Sequence, residues 1–237
     1  MPENDTLPAL PKTRAQALTP AERQEAWERF LTALGCRDIP CRGGFSDEAR
    51  MDSQAFLQQG QADPLCAPAP VRALHLCLSQ PDDILAVAAS PRLRNLATLD
   101  LCDNRIGREG ALALAASEHL QQLTRLDLSW NHIGDAGVLA LAASPHLANL
   151  TRLDLAGNDI GPVGALALAA SPYLQHLSEL DLNLNHIGDA AAQALAESPC
   201  LPSLTMLNLR GNSDSPRLLA AIESRIEGRR TAQDRGR

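Results

Sequence analysis

The sequence predicts an α/β solenoid in which short parallel strands line a concave face and helices cover the convex face. Two observations support this fold class: a 27-residue period through most of the chain, and a strand pattern followed by a helix pattern within each period. In addition, aromatic residues make up only 3% of the 237 residues. The core must therefore be filled by Leu, Ala and Ile, which suits stacked coils better than an aromatic-rich sandwich.

The repeat is visible directly in the sequence. Each copy opens with the run Leu-x-x-Leu-x-Leu or a close variant of it. In chain order, the opening residues are Val71, Leu96, Leu123, Leu150, Leu177 and Leu204. The first copy is degenerate and two residues short, and the last copy is truncated. The sequence therefore predicts a solenoid of about five to six coils.

Each period contains two physical patterns. Leu-x-x-Leu-x-Leu alternates as a strand with one buried face does. The following Gly-Ala-x-Ala-Leu-Ala-x-Ser-x-x-Leu stretch has helical spacing and the high helix propensity of alanine. Because helices are wider than the spacing of about 4.8 Å between strands, the stack must curve. An Asn follows each strand, and we expect its buried side chain to bond neighbouring coils as a ladder. These ladder residues are Asn104, Asn131, Asn158, Asn185 and Asn212.

The pattern Leu-x-x-Leu-x-Leu-x-x-Asn-x-Ile resembles the leucine-rich repeat over residues 71–212. The helical half, with GALALA at 110–115 and 164–169, resembles the ribonuclease-inhibitor-like class and especially the bacterial GALA repeats. This resemblance implies a scaffold that binds a protein partner. It also implies a bacterial effector delivered into a host, or an inhibitor of a partner enzyme. Ser79 and Ala191 depart from the repeat pattern, at a ladder position and at a glycine position.

The two ends of the chain differ from the repeats in composition. Residues 1–18 are polar and contain proline, so we expect a disordered N-terminus. Residues 19–70 are predicted to form a helical N-terminal cap and its connector, with helices at 19–35 and 46–60. Residues 213–237 are predicted to supply a C-terminal capping helix and a basic tail.

Composition and charge argue against several classes of function. A net charge of −7 disfavours a general nucleic-acid binder. No apolar run reaches the roughly 18 residues of a membrane span, and no signal-peptide pattern opens the chain. We therefore expect a cytoplasmic protein, or one delivered into a host cell by a non-classical secretion system. The six Cys lack metal-site spacing, so we expect reduced thiols and neither a metal nor another cofactor.

The exposed strand positions of stacked coils form columns on the concave face. The central column holds four carboxylates spaced about 5 Å apart, among them Asp127, Asp154 and Asp181. Arg125 and Arg152 lie two residues earlier on the same face and offset part of the repulsion. These five residues are candidates for contact with a basic partner. The alternative is a hydrated strip, since Leu-Asp-Leu is common in such repeats, and a flat sheet lacks the oxygen cage that calcium needs.

A second column, just before the ladder Asn, contains the one Trp of the repeats. Trp130 is followed in the next coil by Gly157 and in the coil after that by Leu184. We expect the indole to lie over Gly157 towards Leu184 and to form an apolar patch at the rim. Large exposed aromatic residues are typical binding anchors. Two alternatives remain open: Trp130 covers backbone only, or the patch is the contact of a homodimer.

A third column, just after the ladder Asn, contains His132, Asp159 and His186. The two His lie two coils apart, or about 10 Å between backbones, which is too wide for easy zinc chelation. We therefore predict a surface charge ladder at the rim, with both His available to a partner.

Together these patterns predict a non-catalytic protein–protein interaction module, not an enzyme, that uses the concave face and its rim. One alternative is a ubiquitin-ligase adaptor that acts through the helices of 19–60, although no convincing F-box is present. A second alternative is a GTPase activator, as some ribonuclease-inhibitor-like proteins are, with Arg42 or Arg105 as the acting cation. The sequence names no partner protein.

Overall fold

The computed structural model describes residues 48–58 and 72–212, together with positions 218, 221–222, 224–226 and 228 near the C-terminus. These residues form the α/β solenoid that the repeat predicts, with one parallel sheet and a layer of helices. The predicted helix at 19–35, the disordered N-terminus and the basic tail lie outside the described residues. Among the described helices, none is long and apolar enough to cross a membrane.

The elements alternate regularly along the chain. The strands are β1 (Glu48–Asp52), β2 (Ala73–Cys77), β3 (Thr98–Asp100), β4 (Arg125–Asp127), β5 (Arg152–Asp154), β6 (Glu179–Asp181) and β7 (Met206–Asn208). The α-helices are α1 (Ser53–Gln58), α2 (Asp83–Ala88), α3 (Gly107–Ala116), α4 (Gly134–Ala142), α5 (Pro162–Ala169) and α6 (Asp189–Glu197). Short 3₁₀ turns at Pro91–Asn95, Glu118–Leu120 and Pro145–Leu147 lead from helix to next strand.

The seven strands in the described part of the chain pair in parallel in chain order, from β1 to β7. The register advances by one repeat per strand, so that Leu126 of β4 lies beside Leu153 of β5 and Leu180 of β6 follows. Every residue of one repeat position therefore lies in a single column across the sheet. This register places the exposed strand residues side by side on the concave face.

The core is a continuous stack of aliphatic side chains between sheet and helices. Each coil buries its pattern leucines almost completely; Leu123, Leu126 and Leu128, for example, are at most 1% exposed. Phe56 is fully buried at the N-terminal end of this stack. At the C-terminal end, the described positions beyond 212 are helical, and Ile222 and Ile226 are buried against the core.

The predicted helix at 46–60 is wrong in its first half. Residues 48–52 form strand β1, which pairs with β2 over five residues, and in the described part of this segment the helix is Ser53–Gln58. In this register Met51 lies beside Leu76 and occupies a leucine position of the repeat. The segment is thus an additional coil, and the solenoid has more strands than the five to six that the sequence predicts.

The Asn ladder forms as expected. Asn158, which is fully buried, accepts hydrogen bonds at Oδ1 from the amides of Asn131 (3.0 Å) and Ile133 (3.3 Å). Its Nδ2 donates to the carbonyls of Leu128 (2.8 Å) and Ala156 (3.1 Å). One side chain therefore bonds four backbone groups in two coils, and three of them, the Asn131 and Ile133 amides and the Leu128 carbonyl, would otherwise be buried without partners.

A second ladder of serines joins the coils where the helices end. Each Ser Oγ donates to the carbonyl of the residue 29 positions earlier, at 2.5–2.6 Å. The members are Ser117, Ser144, Ser171 and Ser198, and all four are buried. The sequence has this serine in every full copy. The last carbonyls of a helix have no partner within the helix, and the serine hydroxyl supplies one.

Candidate functional site

The acidic column has a structural task in each coil. Oδ1 of Asp127 accepts from the amide of Ser129 at 2.9 Å, and Oδ1 of Asp154 accepts from the amide of Ala156 at 3.0 Å. Asp181 does the same with Asn183 at 2.8 Å. Each carboxylate thus caps the turn that leaves its strand, as Asp commonly does two residues before a free amide. This need explains why the residue repeats.

Both ends of the column pair with a non-acidic residue of the same column, whereas Asp127 and Asp154 in the middle have carboxylates on both sides. His75 Nδ1 lies 2.5 Å from Asp100 Oδ2, and Asn208 Nδ2 donates to Asp181 Oδ2 at 2.8 Å. In the middle, the pKa of Asp154 is raised to about 6, mainly by burial and also by the neighbouring carboxylates of Asp127 and Asp181. The amide of Ala156 and the guanidinium of Arg152 act in the opposite direction. Asp154 is therefore protonated in part near neutral pH.

Arg125 and Arg152 lie in one column, beside the acids of their own strands. Arg152 Nη1 pairs with Glu179 Oε2 of the next strand at 3.1 Å. The two arginines, with Asp127 and Asp154, border a shallow depression of about 190 Å³. Small-molecule sites are usually larger, at roughly 300–1,000 Å³, so this depression suits a side chain of a partner better than a free ligand.

Trp130 lies at the rim as the sequence predicts, with its indole over Gly157. A Cβ added to Gly157 would lie 2.7 Å from Cε3 and 2.8 Å from Cδ2 of the indole. Trp130 is nevertheless 49% exposed. Leu184 repeats this arrangement two coils later. It is 48% exposed, and its Cδ2 would lie 2.8 Å from a Cβ added to Gly211.

The backbone at these rim positions is left-handed. Trp130 has a φ of 59° and Leu184 a φ of 53°, whereas Gly157 and Gly211 in the same column have 62° and 72°. A left-handed conformation costs a non-glycine residue about 1–2 kcal/mol. Glycine would avoid this cost at both positions, and a bulky residue in this region is uncommon. The large side chains are thus retained at an energetic expense that the solenoid itself does not require.

The third column forms the expected charge ladder. His132 Nδ1 lies 2.8 Å from Asp159 Oδ2, and His186 Nε2 lies 4.0 Å from Asp159 Oδ1. All three side chains are at least 60% exposed. Within the described residues, no group of three or more His, Cys, Asp or Glu side chains is arranged to hold a metal ion.

The helices also carry a line of exposed leucines that was not predicted from the sequence. They occupy one repeat position, are 45–48% exposed, and are Leu85, Leu112, Leu139 and Leu166. In the next helix the same position is Gln193. The signal was available in the sequence, since the variable position of Gly-Ala-x-Ala-Leu-Ala is Leu in consecutive copies.

Comparisons with known proteins agree with this geometry. A family model described as leucine-rich repeat matches residues 92–115, 119–142, 146–169 and 173–196. No curated protein sequence matches the chain. A solved structure titled as the tropomodulin C-terminal domain from Caenorhabditis elegans is 13% identical, with a TM-score of 0.50, and covers 67% of this chain and 100% of that one.

Two further solved structures are similar over much of the chain. Leiomodin-1 actin-binding site 2 is 19% identical over 65% of this chain and 92% of that one, with a TM-score of 0.48. An internalin from Listeria monocytogenes is 19% identical over 64% of this chain and 45% of that one, with a TM-score of 0.41. The repeat period, the parallel sheet, the Asn ladder and the family match lead to one conclusion: the chain is a leucine-rich repeat protein.

Proposed function

We propose that the chain is a non-catalytic protein–protein interaction module whose binding surface is the rim at Trp130 together with the adjoining concave face. The observation that carries this proposal is the rim backbone. Trp130 is half exposed and left-handed at a position where alternate coils have glycine. An exposed indole fixed by packing on Gly157 has the rigidity and apolar area of a binding anchor.

The surroundings of Trp130 suit a partner with a mixed surface. Leu184 adds a second exposed apolar side chain two coils away, and His132 and His186 lie beside the two anchors. The partner would also meet the acidic column and the arginines on the concave face. These residues are Asp127, Asp154, Asp181, Arg125 and Arg152. A basic or amphipathic segment of the partner fits this combination of charge and apolar area.

The test is capture of partners from bacterial and host lysates with wild type, Trp130→Asp and Leu184→Asp as baits, followed by affinity measurement. We expect each variant to bind the captured partner at least about tenfold more weakly, with an unchanged melting temperature. Aspartate is a suitable replacement because Asp103 already adopts the left-handed conformation at this repeat position. The matched control is Leu112→Asp, which changes an equally exposed leucine on the helical face.

Unchanged affinity in both rim variants would refute the proposed anchors, as would loss of binding in the Leu112→Asp control alone. A concentration-dependent dimer that Trp130→Asp abolishes would instead identify a second copy of the chain as the partner. The bacterial effector or inhibitor roles, and a cytoplasmic or host-cell location, remain predictions from the repeat type. The ubiquitin-ligase adaptor and the Arg42 candidate depend on residues outside the described part of the chain.

A further inference from the structure

Two cysteines occupy adjacent places in the column that follows the acidic one. His75 of β2 lies beside Asp100 of β3, so continuation of this register by two residues brings Cys77 beside Cys102. Both are exposed free thiols. Since both residues are exposed and lie two positions after His75 and Asp100, we expect both sulfurs to project from the concave face.

Backbone contacts show that the two coils remain close at this point. Nδ2 of Asn104 donates to the carbonyl of Leu76 at 2.8 Å and to the carbonyl of Cys102 at 3.1 Å. The peptide bond that joins Leu76 to Cys77 is therefore near the carbonyl of Cys102. Neighbouring strands are about 4.8 Å apart, and a disulfide spans Cα separations of about 4.4–6.8 Å.

Side chains on both sides of this pair contact each other across the same step. His75 Nδ1 lies 2.5 Å from Asp100 Oδ2 one column earlier. In the cysteine column itself, the side chain of Ser129 in the next coil is close enough to the Cys102 thiol to lower its pKa, although the net shift is upward because of burial. One strand step is therefore short enough for side chains of this column to meet.

We propose that Cys77 and Cys102 form a cross-strand dithiol that a low-molecular-weight disulfide, such as glutathione disulfide, converts into an intramolecular disulfide. One cysteine thiolate attacks a sulfur of glutathione disulfide, and the first glutathione leaves as a thiolate. The second cysteine thiolate attacks the protein sulfur of the mixed disulfide, and the second glutathione leaves. Two protein thiols are oxidised, one glutathione disulfide is reduced, and the two protons pass to the departing glutathiones.

The test of the pair uses a two-thiol variant in which Cys36, Cys41, Cys66 and Cys200 are replaced by serine. After treatment with glutathione disulfide, we expect its intact mass to fall by about 2 Da, with a Cys77–Cys102 peptide in the digest. The matched control carries Cys102→Ser and Ser129→Cys in the same background. Its two thiols lie two strand steps apart, or about 10 Å, which is outside the range of a disulfide.

In the native state, the two-thiol variant should close its disulfide at least about tenfold faster than the control, and in urea the two rates should be similar. Stable glutathione adducts on both cysteines would overturn the proposal, as would equal native rates. If the two-thiol variant does not fold, peptide mapping of oxidised wild-type protein decides the question. A Cys77–Cys102 peptide supports the pair, and its absence refutes it.

Discussion

The two faces of the solenoid use their exposed positions in opposite ways. On the helices, one exposed repeat position is occupied by leucine in four successive coils, at Leu85, Leu112, Leu139 and Leu166. At the rim, the equivalent exposed position changes with every coil, from Asp103 through Trp130, Gly157 and Leu184 to Gly211. The helical leucines cost their backbone nothing, whereas the bulky rim residues adopt a left-handed conformation. A residue that varies at a cost in backbone energy is better evidence of function than one that merely repeats.

The largest expected effect is a loss of stability when the Asn ladder, which joins neighbouring coils, is interrupted. Asn158→Ala leaves the buried amides of Asn131 and Ile133 and the carbonyl of Leu128 without these partners. We expect a loss of about 3–4 kcal/mol in the free energy of unfolding, measured by urea denaturation. The control is Asn149→Ala, since exposed Asn149 makes one hydrogen bond, to Gln121, and should lose under about 1 kcal/mol. Equal losses in both variants would contradict the role assigned to the ladder.

The second effect concerns the packing of Trp130 on glycine. Gly157→Ala places a methyl group against the indole at a φ of 62°, and both the contact and the conformation are unfavourable. We expect a loss of about 2 kcal/mol in unfolding free energy. In a Trp130→Ala background the contact disappears, so the same change should cost only about 1 kcal/mol. Identical costs in the two backgrounds would show that the indole does not constrain Gly157.

The third effect is a pH dependence on the concave face. The pKa of Asp154 is about 6 in the folded state, above the value of about 3.9 for an unfolded aspartate. The folded state thus binds the proton more tightly, and stability falls as pH rises from about 4 to about 6. Asp154→Asn removes this fall and keeps the bond to the Ala156 amide, as Asn208 does with Arg210 in the same column.

We expect the stability of Asp154→Asn relative to wild type to increase by about 1–2 kcal/mol between pH 4 and pH 7, after allowance for solvent screening. The measurement is urea denaturation at a series of pH values. Asp82→Asn, at an exposed position outside the column, is the control for removal of one surface carboxylate. If the unfolding free energy of Asp154→Asn fell with pH as steeply as that of wild type, the raised pKa of Asp154 would be contradicted.

The smallest expected effect tests the comparison from the helical side. Leu139→Gln introduces the residue that Gln193 supplies at the same position of α6, and it should change the unfolding free energy by under about 0.5 kcal/mol. It should also leave partner affinity unchanged. A loss of affinity comparable with that of Trp130→Asp would move the binding surface to the helices and reverse the comparison.

The sequence predicted the repeating parts of the molecule well, because every copy restates the same physical constraints. The Asn ladder, the column register and the position of Trp130 over Gly157 follow from the 27-residue period alone. Strand β1 was missed because Glu48–Asp52 lacks the leucine pattern, apart from Met51, and becomes a strand by pairing with β2. The left-handed φ of Trp130 was not predictable from propensity, since propensity favours glycine there.

The Asn ladder also gives the solenoid a direction. The Oδ1 of each Asn accepts from backbone amides of the coil before it, as Asn131 does for Asn104 and Asn158 does for Asn131. A coil is therefore completed only by its successor. During synthesis from the N-terminus, each coil that emerges would seal the one already made, so that growth and folding proceed in the same sense. Removal of coils from the C-terminal end would undo the structure in the reverse order.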